Sequence, residues 1–184
     1  MSQEHYTDEE LLERLSKPDQ RSFAFHLLVK KYQQRLYWHI RKIVIAHDDA
    51  DDVLQNTLLK AWSAIESFRM ESKIYTWLYR IATNEAITFL NHKRTRFFLP
   101  IVNVEKQLAE TLEADEYFNG DEIDLKFQKA LLKLPEKQRI VFNMKYFDDM
   151  KYEDISEILK TSVGALKASY HHAVKKIEKY LETD

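Results

Sequence analysis

Only two glycines and three prolines occur in 184 residues, and no other property of the chain restricts its fold as much. Hairpin turns and sheet edges draw heavily on those two residue types, so a many-stranded β fold would have little to turn on. An all-α architecture is expected. The length suits one ordinary domain or two small ones, and 45% hydrophobic residues is enough for a packed core. The absence of cysteine removes disulfides, thiolate catalysis and Cys-based zinc sites. No run of about 18 apolar residues is present, and Met1-Ser2-Gln3-Glu4-His5 lacks the basic-then-apolar order of a signal peptide. The expectation is a cytoplasmic protein without membrane insertion.

Apolar spacing divides the chain into helices. Thr7-Asp8-Glu9-Glu10 fits a capping box that opens a short helix to Leu15. After Pro18-Asp19, the residues Phe23, Leu27, Leu28, Leu36, Ile40, Ile43 and Val44 recur at helical spacing, with Lys30, Lys31, Arg35, Arg41 and Lys42 on the other face. The next helix turns Ala50, Val53, Leu54, Thr57, Leu58, Ala61, Trp62 and Ile65 inward and leaves Asp51, Asp52, Gln55, Asn56, Leu59 and Lys60 outward. Asp48 or Asp49 suits its N-cap, and the neighbouring aspartates favour the positive end of the helix dipole. On spacing alone that role accounts for the acid cluster. A metal site would need a second cluster of ligands to complete it, and no cofactor is expected.

A helix dense in aromatics follows, Ile74-Tyr75-Thr76-Trp77-Leu78-Tyr79-Arg80-Ile81-Ala82-Thr83-Asn84, and ends in Lys93-Arg94-Thr95-Arg96. Trp77, Leu78, Ile81 and Ala82 read as core, which puts Tyr75, Thr76, Tyr79, Arg80 and Thr83 on the outward face. Exposed rings among cations suit unpaired bases, because rings stack on bases while Arg and Lys neutralise phosphate. From Phe97 to about Gly120 the periodicity weakens, with a short helix expected near Val104 to Leu112. Between Glu105 and Asp124 there are eight acids and one base, Lys106.

A second helical unit begins at Glu122. Ile123, Phe127, Ala130, Leu131 and Leu134 mark one helix, closed by Pro135, and Ile140, Val141, Met144 and Phe147 mark another. Beyond a turn at Asp148-Asp149, a short helix (Ile155, Ile158, Leu159) meets a long one (Val163, Leu166, Tyr170, Ala173, Val174, Ile177, Leu181) through Lys160-Thr161-Ser162. This is the helix-turn-helix pattern, whose second helix enters the DNA major groove, although any pair of antiparallel helices gives similar spacing. Ser162 is a good N-cap and Gly164 and Ala165 are small. Lys167, His171, Lys175 and Lys176 share the polar side of the last helix.

Two blocks of the chain resemble bacterial extracytoplasmic-function (ECF) sigma factors. Asp51-Asp52-Val53-Leu54-Gln55-Asn56-Thr57 through Ala61-Trp62, Phe68-Arg69 and Thr76 to Asn84 resemble region 2 of that family. Leu134-Pro135-Glu136-Lys137-Gln138-Arg139, Tyr152 to Leu159 and Ser162 to Lys167 resemble region 4. The resemblance implies region 2 over residues 1–96, an acidic linker over 97–121 and region 4 over 122–184. It implies partners: the beta and beta-prime subunits of RNA polymerase core, promoter DNA and an anti-sigma factor. Asp51, Asp52, Gln55, Asn56, Leu59 and Lys60 would dock on the polymerase clamp. Phe68, Arg69, Lys73, Tyr75, Thr76, Tyr79, Arg80, Thr83, Asn84, Lys93 and Arg94 would hold the minus-ten element as melted single strand. Ser162, Val163, Gly164, Ala165, Lys167, Ala168, His171 and Lys175 would meet the minus-thirty-five duplex. The linker, about 25 residues, reaches about 80 Å when extended, more than two helical turns of duplex at about 34 to 36 Å each. In the family it threads toward the RNA path, where an acidic strand can mimic nucleic acid. The last helix departs from the family in carrying Lys rather than Arg, which favours phosphate positioning over bidentate guanine reading.

Two other readings are compatible with parts of the pattern. A dimeric helix-turn-helix regulator would need an N-terminal sensing half, for which an acidic helix beside an aromatic one has no use. A metal-dependent hydrolase would need ligand spacing that the seven histidines do not show. The chain is expected not to be an enzyme, with no catalytic or metal-ligating residues.

Overall fold

Helix α2 (Arg21–Val44) carries the first half of the molecule and also touches the second. The computed structural model describes residues 6–68, 72–96, 108–112 and 122–183, and among them no strand occurs. Helix α1 (Asp8–Leu15) starts in the expected capping box: the Thr7 hydroxyl accepts from the Glu10 amide at 3.2 Å, and the Glu10 carboxylate accepts from the Thr7 amide at 2.7 Å. Helix α2 buries Leu28, Tyr32, Leu36, Ile40 and Ile43 along one stripe. Helices α3 (His47–Ala64) and α4 (Ile74–Arg96) pack on it and on each other, joined by a 3-10 turn at Ile65–Ser67.

The second unit comprises α5 (Glu122–Leu132), α6 (Glu136–Tyr146), α7 (Tyr152–Leu159) and α8 (Val163–Thr183). Helices α5, α6 and α7 all pack against α8. Ala130, Leu131, Leu134, Phe142, Ala173 and Ile177 give this unit a core of its own, with Phe142 stacked on Tyr170 at 5.4 Å. Between α7 and α8, Lys160 turns the chain in the left-handed region (φ 53°, ψ 41°), where glycine is the usual choice.

Two details of the first unit depart from the sequence expectation, and one expectation in the linker is met only over part of its length. Phe23, expected in the apolar stripe, is exposed near the start of α2, while Arg41, expected on the polar face, is buried. The N-cap of α3 is Ala46 without a side-chain cap, so Asp48 and Asp49 lie inside the first turn and act through the dipole instead. Of the helix expected over 104–112, residues 108–112 are helical and the others lie outside the described residues.

The two units share one apolar cluster. Ile140, Val141, Met144, Met150, Ile155 and Ile158 belong with the buried residues of α2 and α4. At the end of α2, four backbone carbonyls have no helical partner by rule, and here each is satisfied. Ile45 N–H donates to Arg41 O (2.8 Å) and Ala46 N–H to Val44 O (3.0 Å). The other two are served from α6: Asn143 Nδ2 donates to Lys42 O at 3.3 Å and Arg139 Nη2 to Ile43 O at 3.4 Å. Ile45 itself takes a positive φ of 71°, costly for a β-branched residue, and its side chain packs with Leu108, Leu112 and Leu132.

Candidate nucleic-acid interface

The outward face of α3 is as the periodicity indicates. Asp51, Asp52, Gln55, Asn56, Leu59 and Lys60 are all exposed, held in register by buried Ala50, Val53, Thr57 and Ala61. Thr57 spends its hydroxyl on Val53 O at 2.7 Å, so a polar residue sits in the core without cost. Leu59 and Trp62 leave 59% and 42% of their surface in solvent, which gives the acidic face an apolar floor. The Phe25 ring, in edge contact with Trp62, extends that floor onto α2. Trp62 is absent from the expected docking set, since it fits the core rhythm.

The face of α4 differs more. Thr76, Tyr79 and Thr83, expected outward, are buried, because the surface they occupy is covered by α2 and by the second unit. Burial, and then the Asp148 charge, push the Tyr79 hydroxyl above its ordinary range. Thr83 donates to Tyr79 O (2.7 Å), and its oxygen also lies 2.9 Å from His39 Nε2. Tyr75 and Arg80 are half-buried, Lys73 and Asn84 exposed, and Phe68 packs its ring on Trp77 at 5.1 Å. Arg69 lies outside the described residues.

The cations of this stretch are already paired. Lys73 Nζ meets Asp154 at 3.1 Å, a hydrogen bond that raises the lysine's pKa. Arg80 Nη2 donates to Glu157 O at 3.0 Å, with the Glu157 carboxylate 3.7 Å away. Arg94 Nη2 meets Glu136 at 3.2 Å and Lys93 meets Asp49 at 2.7 Å. Among the described residues the Nε atoms of Arg80 and Arg94 are buried without a hydrogen-bond acceptor.

The start of α8 is open by contrast. Ser162, Gly164, Ala165, Lys167, Ala168, His171 and Lys175 are exposed and Val163 is half-buried, while Leu166, Ala173 and Ile177 anchor the opposite side. The Ser162 hydroxyl accepts from the Ala165 amide at 3.3 Å, the expected N-cap. A Cβ on Gly164 would meet nothing within 4 Å, so packing inside the chain does not require a glycine there. Lys167 Nζ sits 5.7 Å from the centroid of the Tyr152 ring. Among the described residues no group of acids and histidines is arranged to hold a metal ion, and no helix is long and apolar enough to cross a membrane.

Comparison with known proteins finds two matching family regions in this chain. The family described as Sigma-70 region 2 matches residues 28–96, and Sigma-70, region 4 matches residues 124–177. The chain is 34% identical to the RNA polymerase sigma-H factor of Pseudomonas aeruginosa, over 95% of this chain and 94% of that one. It is 31% identical to the ECF RNA polymerase sigma-E factor of Haemophilus influenzae over 97% of each, and 33% identical to that of Escherichia coli K12 over 95% and 94%. The fold resembles CnrH solved with the cytosolic domain of CnrY (TM-score 0.70, 24% identity, 96% of this chain and 98% of that one). It also resembles RpoE solved with the anti-sigma factor NepR from Bartonella quintana (TM-score 0.66, 23% identity, 87% and 98%).

Proposed function

This chain belongs to the ECF sigma factors, and on that premise we propose how its surfaces share the work of bringing RNA polymerase core to promoters and starting transcription. Residues 1–96 form the polymerase-binding and minus-ten unit, 97–121 the linker, and 122–184 the minus-thirty-five unit. Asp51, Asp52, Gln55, Asn56, Leu59 and Lys60 dock on core. The observation that supports this best is their complete exposure on one face of α3, with an apolar floor beside acids: an interface needs desolvated apolar area for affinity and charge for orientation.

The stretch from Phe68 to Arg94 takes the minus-ten strand. Extruding a base costs a few kcal/mol, and stacking on an aromatic ring returns about 1 to 3 kcal/mol per base, so rings and cations must share the surface. Phe68 and Tyr75 supply rings; Lys73, Arg80, Lys93 and Arg94 neutralise phosphate. The start of α8 meets the minus-thirty-five duplex, with Lys167 and Lys175 on phosphate and Gly164 and Ala165 allowing close approach. The partners are core polymerase, promoter DNA and an anti-sigma protein, and the place of action is the cytoplasm where they meet. Members of this family are not enzymes, and we assign no catalytic residue, cofactor or metal here. A dimeric helix-turn-helix regulator is not favoured, since it leaves the α3 face without a role.

The test is run-off transcription with purified core on genomic fragments. Initiation that depends on this chain is expected; its absence together with no binding to core would remove the reading. Asp52→Lys should weaken core binding about tenfold, or about 1.4 kcal/mol, with the melting temperature unchanged. Unaltered affinity would refute the docking face.

A further inference from the structure

We propose that His171 meets the minus-thirty-five duplex as imidazolium, so that this promoter contact takes up a proton as it forms. The proposal rests on the assignment of the start of α8 to that duplex. With 3.6 residues to the turn, Gly164, Lys167, Ala168, His171 and Lys175 fall on one side of α8, and all five are exposed. Buried Leu166, Ala173 and Ile177 hold the opposite side against the second unit. Gly164 and Ala168 have almost no side chain, so the long groups of this face are two lysines with the histidine between them. Lys167 and Lys175 stand one turn before and one turn after His171 and carry fixed charges. Of the five, only His171 has a side chain of the kind that changes charge between pH 5 and 8.

What surrounds the ring decides which form is favoured. His172 is its neighbour, with ring centroids 6.1 Å apart, but points round the helix toward the side of Lys176, whose Nζ donates to Gln138 of α6 at 3.0 Å. Tyr152 of α7 is approached by Lys167 at 5.7 Å and by Lys145 of α6 at 5.5 Å, and burial raises its hydroxyl pKa, so it brings no negative charge. Lys151 and Glu153, exposed on either side of Tyr152 in the chain, offset each other. From α5, Lys126 reaches only the far end of α8, at Leu181 O. The acids on the His171 side of α8, Glu178 and Glu182, follow it by seven and eleven positions, about 10 and 16 Å along the axis. Among the described residues the histidines ion-paired with carboxylates are His39 and His47, not His171 or His172. In the free chain the immediate setting is therefore cationic and disfavours a further positive charge. A duplex reverses this, because its phosphates favour the charged form and an imidazolium offers two N–H donors to acceptor oxygens. Binding and protonation thus help each other. The contribution is fully present at low pH and is lost as pH rises through the range in which the bound ring gives up its proton.

The experiment uses the full chain with core polymerase, bound to a genomic fragment that supports run-off initiation, at pH 6, 7 and 8 and constant ionic strength. Affinity of the unmodified chain, taken as a ratio to that of His171→Gln, should rise about fivefold from pH 8 to pH 6. The ratio cancels any pH response of core polymerase or of the fragment itself. A charge added against the duplex releases a counterion, so the slope of log affinity against log salt should steepen by about 0.9 over the same range. His171→Gln should show no such steepening, and His171→Lys should keep at pH 8 the affinity that the unmodified chain has at pH 6. All these side chains are exposed, and unchanged helicity by circular dichroism confirms that each variant folds. Superimposed pH profiles for the unmodified chain and His171→Gln would overturn the proposal, as would a pH response lost in His172→Gln alone. In either case the chain would still initiate. A chain that initiates from no fragment would overturn the functional reading, and this inference with it.

Discussion

Gly164 illustrates how a single residue can be explained by something outside the chain. Glycine in the first turn of a helix costs about 0.5 to 1 kcal/mol relative to alanine, and nothing in the fold demands it, because a Cβ there meets only open space. Gly164→Ala is therefore expected to raise thermal stability by that amount while weakening minus-thirty-five duplex binding in a mobility-shift assay; equal or better binding would show that close approach is not needed. Single residues were also where the sequence was least informative. The Thr7 box and the outward set on α3 were legible because caps and one-sided burial have local signatures. Tyr79, Thr83 and Arg41 were not, since a helix buried on two sides by different partners has the same 3.6-residue rhythm as one buried on one side. His39 did carry a signal: it falls in the same stripe as Tyr32, Leu36 and Ile43, and a histidine in a core stripe needs a polar partner.

At the scale of elements, the boundaries follow propensity and punctuation closely, from Pro135 before α6 to the Asp148-Asp149 turn after it. What no local pattern conveys is that α2 is finished by another helix. Its last two free carbonyls are met by Asn143 and Arg139, roughly a hundred positions away. Asn143→Ala leaves Lys42 O without its buried donor, which costs about 1 to 3 kcal/mol. Hydrogen exchange should accordingly accelerate in the last turn of α2 and spare the first turns of α8; uniform exchange across α2 would show that the carbonyl is met by water. The same argument explains why Ile45 tolerates its positive φ: its side chain is seated among Leu108, Leu112 and Leu132, so linker and second unit together offset the strain.

For the whole molecule, the all-α class and the two-unit order were readable from turn-residue scarcity and two separated motif blocks, whereas the contact between the units was not, because charge patterning does not say which acids meet which bases. Acid titration tests that contact. Burial alone would push the Asp148 carboxyl up, but the hydrogen bonds and charges of His39 and Lys42 outweigh it and hold the carboxyl below its usual range. A carboxyl depressed by the contact favours the contact above its ordinary pKa and loses that contribution as pH falls through the depressed value. The contribution is thus intact near neutrality. The radius of gyration should start to rise only below the ordinary carboxylate range, and Asp148→Asn should abolish that acid-dependent expansion; expansion identical in the variant would assign it to other carboxyls.

The carbonyls of α2 capped by α6 also bear on heredity. Where one half of a chain completes a helix belonging to the other, neither half can drift alone: a change at Asn143 or Asp148 is felt at Lys42 or His39, and a compensating change must arise in a stretch about a hundred codons upstream. Units that look exchangeable between relatives, each with its own motif, are in this chain fitted to each other, and a recombinant that joined mismatched halves would inherit two sound modules and lose the restraint between them.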